Sequence, residues 1–244
     1  MSRIAEVDTK FSHYLIEDEI YNGRPARVLY GGDRLVAQSG MPRDDSLEPL
    51  FDYNQRFREI VKGVQPKRLL QLGGGAFTLP SVLLKEHKGM QLDVVEVDSE
   101  LPDIARQYFG LKPCRQLTIY VKDGNQYVAE TEHMYDMIIM DVFEDAAIPV
   151  TFRTAAFMRN MRMHTAKRGI VAVNVIASLQ GLNSNVLRIL HARLRAVFPM
   201  VEIFPAARDY SLHMSQNYVL VAHDGTWNLA PFMMRQPVPL PKLS

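Results

Sequence analysis

The chain has 244 residues, with 28 basic and 27 acidic side chains and a net charge of +1. That length suits one α/β domain with a sizeable core, or a domain with a small appendage, and the balanced charge calls for no nucleic acid, membrane surface or polyanion as partner. The single cysteine, Cys114, excludes an intramolecular disulfide and a cysteine-based zinc site.

The amino terminus has no apolar stretch of signal-peptide kind. No run approaches the ~18 apolar residues that span a bilayer. A soluble cytoplasmic protein is expected.

Residues 1–45 read as a β-strand region. Short apolar or alternating runs at 14–16, 26–30 and 34–38 suggest strands, and Gly31-Gly32-Asp33 punctuates the last two as a hairpin turn. Ser46 resembles an N-cap with Glu48 behind it, and Leu47, Leu50, Phe51, Phe57, Ile60, Val61 and Val64 recur at helical spacing. Pro66 ends that helix.

From there strand and helix alternate. Strands are expected at Arg68–Leu72, 91–97, Leu117–Val121, 137–142 and 169–175, with two more at 201–204 and 216–222. The helix before the last two covers 182–198, with Val186, Ile189, Leu190, Arg193, Leu194 and Val197 as its inner stripe. Five β-α repeats and a closing hairpin predict a seven-stranded, mostly parallel sheet with helices on both faces and one strand antiparallel. Residues 46–223 are thus expected as a Rossmann-like nucleoside-binding domain, and 224–244, proline-rich towards the end, as a C-terminal tail. The Met-rich FMRNMRMH segment suits helix packing. His164, His191 and His213 show no metal spacing, and no metal is expected.

In an open parallel sheet, ligands bind at the carboxyl ends of the strands. Here those ends read Gly73-Gly74-Gly75, then Glu96 with Asp98, then Asp123-Gly124, then Asp141. Glycine lets backbone approach a ligand closely. Glu96, 23 positions after Gly73, is placed to accept both hydroxyl protons of a ribose. A dinucleotide fingerprint needs a third glycine where Thr78 stands, so a single nucleoside fits better. Each residue also has a plainer reading: a tight turn for the glycines, a helix cap for Asp123, a structural carboxylate for Asp141.

The segments LLQLGGG, DVVEVD, VKDGNQYV and YDMIIMDVF resemble, in order and spacing, the class I S-adenosylmethionine-dependent methyltransferase fold. More narrowly they resemble the spermidine synthase (polyamine aminopropyltransferase) family. The resemblance implies S-adenosylmethionine or its decarboxylated form as co-substrate, a polyamine or other cationic acceptor, and a homodimer. It implies that Glu96 holds the ribose hydroxyls, Asp123 accepts from the adenine amino group, and Gly124 allows close approach. Gly73, Gly74 and Gly75 would lie against the nucleoside, Asp141 would face the acceptor amine, and Tyr53 and Gln38 would line the acceptor side. The family pattern GGGDG reads GGGAF here, so Ala76 replaces the aspartate that binds the amine of the decarboxylated donor, and Phe77 replaces the next glycine. A methyltransferase on the same fold and a non-catalytic nucleoside-binding homologue are the alternatives. If the loop follows the family, Ala76→Asp should raise affinity for the decarboxylated donor.

Overall fold

A computed structural model describes residues 2–32, 36–44, 46–144 and 147–241. Four strands, β1 (Ser2–Asp8), β2 (His13–Tyr21), β3 (Arg24–Gly31) and β4 (Val36–Pro42), form an antiparallel sheet in chain order. Strand β1 lies outside the runs the sequence suggests, because SRIAEVD is mostly exposed and only Ala5 and Val7 alternate towards the apolar seam. The pairing of β3 with β4 agrees with the expected hairpin, while Asp33 of the turn and Arg34 at the expected strand start lie outside the described residues.

The main unit comprises α1 (Asp52–Val64), β5 (Arg68–Leu72), α2 (Thr78–Glu86), β6 (Gln91–Glu96), α3 (Leu101–Tyr108), β7 (Leu117–Val121), α4 (Gly124–Glu130) and β8 (Tyr135–Met140). It continues with α5 (Ala155–Met163), β9 (Thr165–Ala177), α6 (Asn185–Arg195), β10 (Met200–Pro205) and β11 (Gln216–His223). Its seven strands run in the order β10-β11-β9-β8-β5-β6-β7, with β11 antiparallel to both neighbours, as expected.

Both sheet faces are apolar, and strand alternation divides them. Leu70, Leu72, Ile138, Met140, Val171 and Val173 point to the layer that holds α4, α5 and α6. Leu69, Leu92, Val94, Met137, Ile139 and Ala172 point to the layer of α1, α2 and α3. The four-stranded sheet joins that second layer through Tyr14, Ile16 and Leu29, packed on Leu101 and Ile104.

Two helices start later than their patterns suggest. Helix α1 begins at Asp52 rather than Ser46, whose hydroxyl instead accepts from the Glu48 amide at 3.0 Å in a local turn. Leu50 and Phe51, counted towards that helix, pack on Leu15 and Val28 of the amino-terminal sheet. A 3-10 turn, Leu182–Ser184, precedes α6, whose buried stripe is Leu187, Leu190 and Leu194, leaving Ile189 exposed. The segment expected as a tail lies against the core: Leu229 and Met233 are buried, and the Val238 amide donates to the Ile203 carbonyl at 2.8 Å. Leu229, Met233 and Val238 stand in a segment without helix or strand, and three anchors with no shared spacing make no period that sequence reading detects. Among the described residues, no helix is long and apolar enough to cross a membrane.

Candidate active site

Strands β5, β6 and β7 are laid down in one direction and β8 returns to the other side of β5, so the topological switch lies between β5 and β8. The register pairs Leu72 with Val95 on one side and Met140 on the other, and Met140 with Val173. The next residue of each strand therefore falls in one row: Glu96, Gly73, Asp141, Asn174. Side chains of that row share the parity of Leu92, Ile139 and Ala172, and so face the α1 layer.

Over this row opens a cavity of about 980 Å³. Gln38, Tyr53, Gly73, Gly74, Gly75, Glu96, Asp123, Gly124 and Asp141 all line it. The structure thus brings together residues from β4, α1 and four strand ends.

The glycine loop is required by geometry. Gly73 has φ +87°, and a Cβ there would lie 2.1 Å from the Asp141 carbonyl oxygen. Phe77, where the family pattern has glycine, keeps a left-handed φ of +55°. For a bulky residue that conformation costs about 1–2 kcal/mol. Its buried ring lies under Gly74, where an added Cβ would fall 2.7 Å from the ring.

Glu96 fastens the same loop. One carboxylate oxygen accepts from the Gly74 and Gly75 amides at 2.7 and 3.2 Å, and the other from the Asp98 amide at 3.0 Å. Burial raises its pKa and those amides oppose the rise. Asp98, only 2 % exposed, accepts from the Glu100 amide at 3.0 Å and from the Thr9 hydroxyl at 2.6 Å. It thereby ties the β1–β2 turn, with Phe11 and Ser12, to the cavity wall.

Asp123 caps α4, accepting from the Gln126 amide at 2.8 Å, while remaining on the cavity lining. Gly124 is tightly placed, since a Cβ there would lie 3.1 Å from the Phe152 ring. Gln38 packs against Gly31, where a Cβ would lie 1.9 Å from its side-chain nitrogen.

Asp141 lies at the switch. Loss of hydration pushes its pKa up to about 6, opposed by the Asn174 amide and the Tyr53 hydroxyl. Asn174 donates to Asp141 Oδ1 at 2.9 Å and accepts from Asn217 Nδ2 at 3.0 Å. Burial, then the Asp141 charge, holds Tyr53 well above its ordinary value, so it stays a neutral donor. Its ring stacks on Phe51 at 5.9 Å and meets Phe57 edge-on at 6.1 Å.

Sequence reasoning missed Asn174, Asn217, Gln71 and Asn54. A signal was present for two of them: Gln71 and Asn174 are polar residues near the carboxyl ends of otherwise apolar strands, whereas Asn217 stands at the amino end of β11, which runs antiparallel. The unpartnered buried oxygens on the cavity wall are Asn54 Oδ1, Gln71 Oε1 and Gln216 Oε1. The N–H ends of the two glutamines are engaged, with the Gly73 carbonyl at 2.8 Å and the Tyr218 hydroxyl at 3.0 Å. Charged lining side chains among the described residues are Asp52, Glu96, Asp98, Asp123, Asp141 and Glu144, with no Lys or Arg. The wall therefore accepts hydrogen bonds and attracts cations.

Ala76 does not line this cavity. It is 1 % exposed and packs with Tyr14, Ile16, Leu29, Leu101 and Ile104 in the seam to the amino-terminal sheet. Glu144 lies exposed at the rim. Among the described residues, no cluster of three His, Cys, Asp or Glu side chains is arranged to hold a metal ion.

The model of the spermine/spermidine synthase domain matches residues 54–221. Over 117 residues the chain is 26 % identical to a polyamine aminopropyltransferase of Vibrio vulnificus, covering 47 % of this chain and 39 % of that protein. Over 150 residues it is 27 % identical to the human eEF1A lysine and N-terminal methyltransferase, covering 57 % of this chain and 21 % of that protein. Less than half of either relative is spanned. A crystal structure of a probable spermidine synthase from Corynebacterium glutamicum has the same fold, with a TM-score of 0.79 at 21 % identity over 92 % of this chain and 81 % of that one.

Proposed function

The chain belongs to the spermine/spermidine synthase family, and from that premise we propose that it is a transferase moving an aminopropyl group from decarboxylated S-adenosylmethionine to a polyamine. The observation that carries this reading is the cavity wall: carboxylates and unpartnered carbonyl oxygens line it together with Asp141, with no basic side chain among the described residues. A sulfonium donor and an alkylammonium acceptor are both cations, and the acceptor is rich in N–H donors. A buried acceptor oxygen left unpaired costs about 1–3 kcal/mol, which such a ligand recovers.

In the proposed reaction the amine arrives protonated and gives a proton to Asp141, directly or through water. Its lone pair then attacks the methylene carbon next to the sulfonium. The new C–N bond forms as the C–S bond breaks, and methylthioadenosine leaves neutral. Glu96 and Asp123 hold the nucleoside, Gly73, Gly74, Gly75 and Gly124 allow its close approach, and Tyr53 and Gln38 border the acceptor. Alignment is the main contribution, because a sulfonium is already a good leaving group.

A specific observation favours a second reading, methyl transfer from S-adenosylmethionine. Ala76 supplies no carboxylate for the donor's amine, and one relative is named a methyltransferase. The test is calorimetric titration of S-adenosylmethionine, its decarboxylated form and methylthioadenosine, each with and without putrescine. Tightest binding of the decarboxylated donor, improved by putrescine, is expected. Preference for the carboxylated donor would select methyl transfer, and no heat from any nucleoside would overturn both transferase readings.

The pH profile gives a second test. Asp141 works as its carboxylate, and burial raises its pKa to about 6. Activity is therefore expected to be lost as pH falls through about 6, roughly tenfold per unit below it. A profile flat from pH 5 to 7 would remove Asp141 from the proton transfer.

The division at 1–45, 46–223 and 224–244, and a cytoplasmic homodimer without nucleic-acid or membrane partner, belong to the same proposal. The near-neutral charge supports the partner assignment, and the dimer rests on the family resemblance alone.

A further inference from the structure

We propose that Asn174 and Asn217 form a two-amide relay that orients the Asp141 carboxylate and keeps it available to receive a proton, Asn174 being a positioning residue. The inference rests on the reading of Asp141 as the group that takes the amine proton.

Asn174 interrupts an apolar strand. Its β9 neighbours Val173 and Val175 are fully buried, and Asn174 itself is 1 % exposed. A carboxamide in such a place is costly unless both ends are bonded. Both are: the N–H end meets Asp141 Oδ1 at 2.9 Å, and the carbonyl end meets Asn217 Nδ2 at 3.0 Å.

The direction of the chain follows from its terminus. An ionised carboxylate only accepts, so Asn174 must present its NH2 to Asp141 and its oxygen to the opposite side. That oxygen in turn selects the NH2 of Asn217. Asn217 on β11 pairs with Ile176, while Asn174 pairs with Val219, so the two amides are diagonal neighbours on one sheet face. Two paired strands thus hold the relay, and neither amide can turn without losing a bond.

Among the described residues, the groups that face Asp141 are few. From α1 comes Tyr53, a neutral donor, and from β9 comes Asn174. On β5 the neighbour is Gly73 backbone, which brings no charge. Glu144, further along the same segment, is exposed at the rim. Among the described residues, Asn174 is therefore one of two side chains that oppose the desolvation of the carboxylate. An apolar residue at 174 would continue the strand and leave Asp141 with Tyr53 alone.

The experiment follows the Asp141 carboxyl by 13C NMR across pH in wild type, Asn174→Leu and Asn217→Leu, with Asp141→Asn to assign the signal. Asn174→Leu is expected to raise the midpoint by about 1–2 pH units, the shift equivalent to one lost hydrogen bond to a charged group. Asn217→Leu is expected to give a smaller shift of the same sign, because Asn174 keeps its bond but loses its orientation. The acid limb of the rate profile should move with the midpoint, and methylthioadenosine affinity should stay unchanged. A folded Asn174→Leu with an unmoved midpoint would overturn the relay. If that variant does not fold, an unmoved midpoint in Asn217→Leu overturns it instead. The NMR readout needs no substrate, so the two readings fail separately. A wild type that turns over nothing while the midpoint still moves overturns the proposed function and leaves the relay standing.

Discussion

Asp141→Asn is expected to lower turnover by about 10²–10⁴-fold, the usual contribution of a positioned general base, while nucleoside affinity stays nearly unchanged. The groups proposed to face the nucleoside take their bonds elsewhere: Glu96 from the Gly74, Gly75 and Asp98 amides and Asp123 from an amide of α4, none of them from the Asp141 side chain. The amide can also keep the local contacts. Its oxygen can accept from Asn174, as Asp141 Oδ1 does at 2.9 Å, and its NH2 can face the Tyr53 oxygen.

Stability separates a catalytic from a structural role. The folded-state pKa of about 6 lies above the ~3.9 of an unfolded aspartate. The native state thus binds the proton more tightly, and the stability this confers is full below about pH 4 and lost as pH rises through 6. At pH 7 the ionised carboxylate weakens the fold, and a neutral asparagine does not. The variant should therefore melt at the wild-type temperature or above it at pH 7. A variant that loses stability and nucleoside affinity together would show that the residue is structural.

Ala76→Asp carries the second large effect, and the fold reverses its sign. By the family's pattern the new carboxylate should restore a partner for the donor's amine. In the structure, however, position 76 faces Tyr14, Ile16 and Leu101 in a closed apolar seam. An unpaired carboxylate there costs about 3–5 kcal/mol. The expected result is a marked fall in the urea midpoint at pH 7, partly recovered at pH 4 where the new acid is neutral, with no gain for the decarboxylated donor. A stable variant that binds this donor more tightly would mean that the loop turns residue 76 into the cavity.

Much of the site was legible in the sequence because strand ends are marked by composition. Apolar runs stop where glycine or a carboxylate begins, and in a parallel sheet those stops lie at one rim. Two of the missed polar residues could have been found by parity: Gln71 and Asn174 share with Glu96 and Asp141 the alternation that sends Leu69, Val94, Ile139 and Ala172 to one layer. The misreadings have local causes. Leu50 and Phe51 fit a helical stripe but serve the neighbouring sheet, and β1 is a mostly exposed edge strand whose alternation is carried by Ala5 and Val7 alone.

The sequence by itself determined the seven strands of the main sheet, their alternation and the chemical character of their ends, since these follow from the local backbone period and from which residues resist burial. Tertiary structure alone decided who meets whom. The sheet order set Gly73 against Asp141 and Asn174 beside it, and the packing of a second sheet closed the seam over Ala76. Neighbourhood across strands depends on register and layer stacking, and no local pattern encodes either.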